Sequence, residues 1–384
     1  MSANGIRKRL LVIGEAASPS GFSRVLDNIC EELADTFEIV RLGANYRGSA
    51  VEGRWRLEPH RVPGDMWGRV SAAALAQQHD PDIVLVYADP QFLSVQTRLF
   101  AGSRARVVLY CSIDFPTLSA DRAGTLCHVD DIVLYTDHAK RTMLAALGES
   151  GPSPRLTVIP PGIDAGDFHP LPGANARASA RERLFPDRPE LRDAFLVLNA
   201  NRNSQRKHVD LTLQGFARFA RRREDAYLYL HMGLRNQVGD LRSLSRSLGI
   251  EKRILATTWS DDHPDISDER LNLIYNACEL GVNTSSGEGF GLVAFEHART
   301  GAAQVMPAHA SLQSLWADAA TFVGVTECHG GGIVDPADLA CALERLARDR
   351  GLLARRSADA YNLATRPDWN WAEAGRRWRA LLTS

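Results

Sequence analysis

The sequence lacks an excess of charge of either sign. Its 384 residues include 45 Lys and Arg against 46 Asp and Glu, which gives a formal net charge of −1 at pH 7. No global field therefore attracts a nucleic acid or an anionic membrane. This balance does not exclude a local basic face.

The sequence also lacks a long apolar run. A membrane-spanning helix needs about 18 or more apolar residues in succession, and no run in the chain reaches that length. The apolar run at residues 10–13 follows a basic N-terminus but is too short for the core of a signal peptide. We therefore expect a cytoplasmic protein whose contact with a membrane is at most peripheral.

Paired cysteines are absent as well. The six cysteines are scattered, and none forms a Cys-x-x-Cys motif, which indicates buried thiols in a reducing compartment and excludes a disulfide frame or zinc site. Lysine is scarce, since only Lys8, Lys140, Lys207 and Lys252 are found among the 45 basic residues. Lys207 stands out because it lies at a predicted strand-to-helix junction.

The length predicts two domains, because 384 residues exceed one typical core. Apolar strands followed by amphipathic helices indicate a Rossmann-like α/β architecture. Prolines and weaker periodicity mark a linker near residues 168–172. We place the first domain at residues 1–168, the second at 169–366 and a last helical segment at 367–384.

The stretch at residues 279–298 carries the clearest functional signal. An apolar run with a polar end, 279–284, predicts a buried strand, and three glycines then let the backbone turn tightly. A helical pattern begins at Gly291, so free N–H groups at its start predict a site for a phosphate or diphosphate. Glu288 and Glu296 would repel phosphates, and we expect them to accept hydrogen bonds from sugar hydroxyls.

Seven residues separate Glu288 from Glu296, and they read Gly-Phe-Gly-Leu-Val-Ala-Phe. This resembles the Glu-x7-Glu signature of retaining glycosyltransferases of the GT-B architecture, in the large family 4. The resemblance implies an acceptor-binding and a nucleotide-sugar-binding Rossmann-like domain that face a central cleft, with a C-terminal helix that crosses back to the first. It also implies that Glu288 contacts the donor sugar and Glu296 the ribose hydroxyls. The diphosphate would lie on the segment Gly289, Phe290, Gly291 and Leu292.

A basic segment follows the strand predicted at residues 194–200. The resembling family has an Arg and a Lys there, in a Gly-Arg…Lys-Gly pattern, and both bind the donor diphosphate. In this sequence Asn201 precedes Arg202 and His208 follows Lys207, so the glycines are replaced. Arg202 and Lys207 are our candidates for stabilising the leaving diphosphate, with Arg206 as the alternative for either.

The resemblance points to three further loops. The loop after the first strand places Ser20 and Gly21 near a donor phosphate or the acceptor. The loop after residues 106–111 offers Asp114 as a residue near the acceptor hydroxyl, with a turn-forming Asp as the alternative. The family holds the nucleobase after the strand that corresponds to residues 253–258, so we expect Thr258 or Trp259 beside the base.

The predicted reaction moves a hexosyl group from a UDP- or GDP-sugar to an acceptor hydroxyl, with retention and by front-face displacement, as the resemblance implies. Pairs of aspartates at 80/82, 130/131 and 261/262 lie at element edges and read as caps or turns. We therefore predict no metal requirement and no cofactor beyond the donor substrate. The acceptor (a glycan, lipid, small molecule or modified nucleobase) and the oligomeric state stay open.

Three alternatives remain. One is a sugar-nucleotide epimerase of the same architecture, and another is a non-catalytic donor-binding subunit. The third is a sugar transferase that acts on a hydroxylated DNA base. Six arginines between residues 41 and 69 favour an anionic partner such as DNA or lipid, although a solvated surface is the commoner explanation of such charge.

Overall fold

The computed structural model describes residues 7–18, 20–65, 68–88, 98–114, 118–120, 123, 126, 128–148, 154–235, 239–328 and 331–384. Contacts divide the chain into two units. The first contains Met1–Ile113, Thr117–Gly162 and Asp368–Ser384, and the second contains Asp114–Pro116 and Ile163–Pro367. The boundaries set from the sequence were 168 and 366.

The described residues form fifteen strands and twelve helices. The strands are β1 (Arg9–Gly14), β2 (Glu38–Gly43), β3 (Arg56–Pro59), β4 (Ile83–Tyr87), β5 (Arg106–Cys111), β6 (Asp131–Leu134), β7 (Arg155–Val158), β8 (Phe195–Asn199), β9 (Ala226–Leu230), β10 (Ile254–Ala256), β11 (Leu280–Val282), β12 (Ala303–Pro307), β13 (Thr321–Val323), β14 (Val325–Cys328) and β15 (Gly331–Val334). The helices are α1 (Gly21–Leu33), α2 (Arg69–His79), α3 (Asp137–Leu147), α4 (Ala176–Leu184), α5 (Val209–Ala220), α6 (Leu241–Ser247), α7 (Asp268–Ala277), α8 (Leu292–Ala298), α9 (Ala310–Trp316), α10 (Pro336–Arg348), α11 (Arg350–Ala364) and α12 (Trp371–Thr383). In the part of the chain that is described, no helix combines the length and apolarity needed to cross a bilayer.

The first unit is built on a seven-stranded parallel sheet in the order β3-β2-β1-β4-β5-β6-β7. Its central strands β1, β4 and β5 are buried almost throughout. A parallel strand covered on both faces has a continuous apolar sequence, which is why these strands could be predicted from the sequence.

The last helix, α12, packs on α1 within the first unit. Gly375 allows the close approach, because a Cβ there would overlap the side chain of Glu32. Trp378 is 1% exposed, and its ring meets Tyr110 edge-on with centroids 5.0 Å apart. Arg106 Nη1 donates to the carbonyl of Leu381 at 2.8 Å. The C-terminal segment therefore joins the first unit, as the predicted architecture requires.

The second unit has a six-stranded parallel sheet in the order β10-β9-β8-β11-β12-β13, with a separate antiparallel pair, β14 and β15. The chain moves outward from β8 to β10 and then returns to β11 on the other side of β8. The strand order thus reverses between β8 and β11. Open α/β sheets bind their ligands at such a switch point, beyond the carboxyl ends of the strands.

The region between residues 41 and 69 differs from the solvated basic surface that its charge suggested. It contains the end of β2 and the whole of β3, whose sequence Arg-Leu-Glu-Pro has too little apolar character to mark a strand. Three of its six arginines are ion-paired, namely Arg41 with Asp27, Arg54 with Glu31 and Asp35, and Arg56 with Glu52 and Glu58. Because Arg41 is also 1% exposed, the arginines do not form one solvated face.

Candidate functional site

Four loops of the second unit follow neighbouring parallel strands and therefore lie at one edge of its sheet. They are residues 200–208 after β8, 231–235 after β9, 257–267 after β10 and 283–291 after β11. The loops after β8 and β11 flank the switch point. Half of the fourteen candidate residues from the sequence lie on these two loops, namely Arg202, Arg206, Lys207, Glu288, Gly289, Phe290 and Gly291.

Lys207 and Glu288 form an ion pair between these two loops. Their side chains are only 11% and 10% exposed. Burial favours a raised pKa for Glu288, but the charges of Lys207 and Arg206 outweigh it and lower that pKa to about 2. Burial is the main influence on Lys207, and it lowers the lysine's pKa. Glu288 is consequently a carboxylate at any physiological pH.

Two short side chains hold the Glu288 carboxylate in addition. Asn283 Nδ2 and Ser285 Oγ donate to Glu288 Oε2 at 3.2 and 3.3 Å. Asn283 Oδ1 in turn accepts from the Ser285 amide at 2.8 Å. These two residues were not identified from the sequence, although both lie within five residues of Glu288.

The two loops are joined by backbone contacts. Arg206 Nη1 donates to the carbonyl of Gly287, and the amide of Ser286 donates to the carbonyl of Arg206 at 2.8 Å. Thr284 Oγ1 donates to the carbonyl of His208 at 2.9 Å. His208 has a φ of 44°, in the left-handed region that favours glycine. That conformation explains why a Lys-Gly pattern suits this position.

The other two candidates of the basic segment differ in their partners. The Arg202 side chain is exposed, and its guanidinium has no hydrogen-bond or ion-pair partner within the described residues. Arg206 Nη2 lies 3.2 Å from Asp114 Oδ2, and Asp114 groups with the second unit. Asp114 is thus the partner of a cation, which neither the acceptor-binding nor the turn-forming interpretation anticipated.

The glycine-rich loop presents backbone donors. Gly291 has a φ of 83° and precedes the first residue of α8, Leu292. Among the residues described, no acceptor receives the N–H groups of Gly289, Gly291 and Leu292. The ring of Phe290 stacks on Phe295 with centroids 4.6 Å apart, so its side chain serves the core and leaves only its backbone for a ligand. Because α8 has seven residues, its dipole is weaker than that of a long helix, and the nearby cations matter more.

The remaining candidates of the second unit are Glu296 in α8 and the residues Thr258 and Trp259 on the loop after β10. Glu296 is 6% exposed, and the hydroxyl of Tyr275 donates to its Oε2 at 2.9 Å. Trp259 is 47% exposed, and the guanidinium of Arg242 lies 5.1 Å from the centre of its ring. Thr258 Oγ1 accepts from the amide of Ser260 at 3.0 Å. Thr258 therefore shapes the turn, while Trp259 has a half-exposed aromatic ring that Arg242 contacts.

Ser20 and Gly21 belong to the first unit. Ser20 Oγ accepts from the amide of Ser23 at 3.1 Å and donates to Glu15 Oε2 at 2.6 Å. Gly21 is the first residue of α1. The structure thus gives Ser20 a capping role at α1, and the predicted contact with a phosphate or acceptor stays a prediction.

The aspartate pairs do not all act as caps or turns. Asp131 is fully buried in β6 and pairs with Arg106 and Arg155. Asp130 and Asp82 do accept from backbone amides, those of Val107 and Arg9. In the described ranges, no three His, Cys, Asp or Glu side chains are arranged to hold a metal ion.

No family model matches this chain. Among curated relatives, a D-inositol 3-phosphate glycosyltransferase of Xylanimonas cellulosilytica is 31% identical over 223 residues, which cover 57% of this chain and 49% of the relative. A mannosylfructose-phosphate synthase of Agrobacterium fabrum is 31% identical over 164 residues, 41% of this chain and 33% of the relative. The chain spans about half or less of the length of these relatives.

Solved structures resemble the whole chain. A sucrose-phosphate synthase of Thermosynechococcus elongatus has a TM-score of 0.77 at 15% identity and covers 98% of both chains. HepE of Anabaena, solved in complex with UDP-glucose, has a TM-score of 0.75 at 16% identity, with 98% and 100% of the two chains covered. At this identity the likeness shows the fold, and the predicted GT-B fold is confirmed.

Proposed function

We propose that this chain is a retaining glycosyltransferase of the family 4 type, which moves a hexosyl group from a UDP- or GDP-sugar to an acceptor hydroxyl. The observation that carries the proposal is the contact of Lys207 and Arg206 with the Glu288 loop at the switch point of the second sheet. A relative named as a glycosyltransferase and a similar fold that holds UDP-glucose support it.

We assign the diphosphate of the sugar nucleotide to the cations and hydrogen-bond donors around the Lys207–Glu288 pair. Arg202 offers an exposed guanidinium without a partner in the described chain, and a guanidinium fork matches phosphate oxygens in both charge and geometry. Lys207 adds a second cation, and Gly289, Gly291 and Leu292 add amide donors without acceptors. These groups would stabilise the charge that grows on the leaving diphosphate.

The two glutamates are assigned to the sugars of the donor. Glu288 accepts hydrogen bonds from hydroxyls of the transferred hexose, and Glu296, which Tyr275 holds in place, accepts them from the ribose. A carboxylate is suited to this role because each oxygen accepts more than one hydrogen bond. The half-exposed ring of Trp259 is a candidate for stacking on the nucleobase.

Retention by front-face displacement fits the state of Glu288. A double displacement would need a nucleophilic carboxylate, whereas Glu288 Oε2 accepts from Lys207, Asn283 and Ser285 and its pKa is held at about 2. Such a carboxylate is a weak nucleophile. In the proposed step the anomeric carbon–oxygen bond breaks with its electron pair passing to the diphosphate. The acceptor oxygen bonds to the same face, and its proton passes to the departing phosphate oxygen.

Metal independence is part of the proposal. Arg202, Lys207 and the loop amides supply the positive charge that a divalent cation supplies in metal-dependent transferases. EDTA is therefore expected to leave donor binding and turnover unchanged. Activity that is lost in EDTA and restored by Mn²⁺ would contradict this part alone.

The first test is a thermal-shift titration with UDP, GDP, ADP, dTDP and their hexose derivatives. A ligand at 100 times its Kd adds about 2.7 kcal/mol, which raises the Tm of a unit of this size by roughly 5–11 °C. We expect one nucleotide to give this shift in the wild type. Lys207→Ala should abolish it and Tyr275→Phe should weaken it.

Lys252→Ala is the matched control, because Lys252 is an exposed lysine of the same unit that lies before β10. It removes the same charge and should retain the full shift. The proposal fails if no nucleotide raises the Tm, or if Lys207→Ala keeps the shift. Conversion of the sugar nucleotide without any acceptor would favour an epimerase, and the anomeric configuration of the product, read by NMR, tests retention.

A further inference from the structure

A second cationic groove lies in the same unit, away from the candidate donor site. It lies between the C-terminal end of α5 and helix α10, extends to the start of α11, and has a volume of about 980 Å³. Its lining combines six arginines and two acids with an apolar floor: Arg218, Arg221, Arg222, Arg345, Arg348, Arg350, Glu344, Asp349, Phe219, Ala337, Ala340 and Cys341.

Some of these charges are already engaged. Arg348 lies 4.0 Å from the carboxylate of Glu344, and Asp349 accepts from the amide of Leu352 at 2.7 Å. Arg350 lies over the ring of Phe195, 5.7 Å from its centre. The remaining four arginines are exposed and have no hydrogen-bond or ion-pair partner in the part of the chain described: Arg218, Arg221, Arg222 and Arg345.

The helix ends alone do not account for four unpaired guanidinium groups. A cation near a helix C-terminus is favoured by the dipole, which explains one or two arginines per helix, whereas the end of α5 alone has three, Arg218, Arg221 and Arg222. Two helices here bring their arginines to a single groove, where like charges repel. An anion with several charges removes this repulsion, and phosphate is the anion whose oxygens a guanidinium matches in bidentate fashion.

We propose that this groove binds a small phosphorylated polyanion as a second ligand of the chain. A soluble ligand fits better than a membrane surface because the arginines surround a concavity of ligand size. Moreover, the large exposed apolar side chains that the structure describes, Val51, Val70, Leu144 and Trp259, include none that lines it, so the rim has no apolar side chain to insert into a bilayer.

The groove is distinct from the donor site. Helix α5 begins directly after His208, next to Lys207, and its twelve residues extend about 18 Å at 1.5 Å per residue. Arg218, Arg221 and Arg222 lie at its far end. A ligand in the groove therefore does not share its contacts with Lys207 or Glu288, and this inference does not depend on the proposed donor.

Isothermal titration of the full chain with inorganic tripolyphosphate tests the proposal, in a Lys207→Ala background that weakens the other cationic site. We expect this chain to bind tripolyphosphate and the added pair Arg221→Gln/Arg345→Gln to reduce the affinity at least tenfold. The control pair Arg61→Gln/Arg69→Gln removes two exposed arginines of the first unit and should leave the affinity unchanged.

A second groove pair, Arg218→Gln/Arg222→Gln, must give a similar loss at an unchanged Tm, which separates lost binding from lost folding. The absence of tripolyphosphate binding in the Lys207→Ala chain overturns the proposal, as does an equal loss in the control pair. Retention on phosphatidylglycerol vesicles that needs these arginines, without any tripolyphosphate binding, overturns it too and assigns the groove to a membrane surface.

Discussion

Glu288→Gln should remove a specific part of the acid sensitivity of the second unit. The pKa of Glu288 is about 2 in the folded chain against an ordinary value of 4.5. A carboxyl group whose pKa falls on folding contributes stability that is complete above its unfolded pKa and is lost as the pH falls towards its folded pKa. A lowering of this size corresponds to about 3 kcal/mol, and the 10% exposure of the side chain leaves little room for solvent screening.

The assay compares the Tm of wild type and Glu288→Gln from pH 6 to pH 3 by scanning calorimetry. About 2 kcal/mol of the Glu288 contribution is lost by pH 3, so the Tm difference between the two proteins should narrow by roughly 4–8 °C over this range. The side-chain amide that Glu288→Gln introduces does not titrate, so it contributes no dependence of stability on pH. Carboxyl groups that the substitution does not affect change the Tm of both proteins equally, so their contribution cancels in the difference.

Glu251→Gln is the control, because Glu251 pairs with Arg246 and Arg242 on the surface of the same unit. Exposed pairs of this kind contribute little, so its Tm difference should change much less with pH. Parallel Tm curves for wild type and Glu288→Gln between pH 6 and pH 3 would refute the reasoning, since they would mean that Glu288 has the same pKa in the folded and unfolded chain.

Three further outcomes are expected. Glu279→Ala removes the carboxylate that pairs with the buried Arg181 and should lower the free energy of unfolding in urea by about 3–5 kcal/mol. A decrease below about 1 kcal/mol would show that the pair is dispensable. Gly281→Ala should lower the free energy of unfolding by about 1–3 kcal/mol because its Cβ would overlap the buried Gln304 side chain. Gly324→Ala is the control, because its added Cβ meets no atom within 4 Å, and it should change this free energy very little. Glu288→Gln should bind the preferred nucleoside diphosphate more tightly in isothermal titration because Lys207 is released, and weaker binding would indicate that Glu288 positions the lysine.

The architecture was predictable because its signals are local. Each central parallel strand reads as a short apolar run, and β8 and β11 are each followed by a polar loop and a helix. Lys207 and Glu288 stood out by composition and spacing, and the structure brings them into contact although they are 81 residues apart. Loops that follow neighbouring parallel strands must meet at one edge, so this contact was implied by the sheet.

The pairing of other charges was not predictable. Arg181 and Glu279 are 98 residues apart and form a buried pair, yet a charged residue in a sequence normally indicates exposure. Arg41 misled the prediction for the same reason, since its guanidinium is buried against Asp27. Asp114 has a cationic partner, Arg206, that no sequence pattern around Asp114 indicates. Such pairs depend on tertiary contacts that leave no periodic signal.

On the proposed function, the Lys207–Glu288 pair couples recognition of the phosphate to recognition of the sugar. A diphosphate gives Lys207 a more highly charged partner and so weakens its bond to Glu288. The carboxylate then needs a new donor, and a hydroxyl of the transferred hexose supplies one. A nucleoside diphosphate without its sugar gives Lys207 an anionic partner, but it gives Glu288 no hydroxyl donor. The negative charges of the phosphate and of the Glu288 carboxylate then repel each other. The same two residues that favour the intact donor would therefore disfavour the product nucleotide, which promotes its release after transfer.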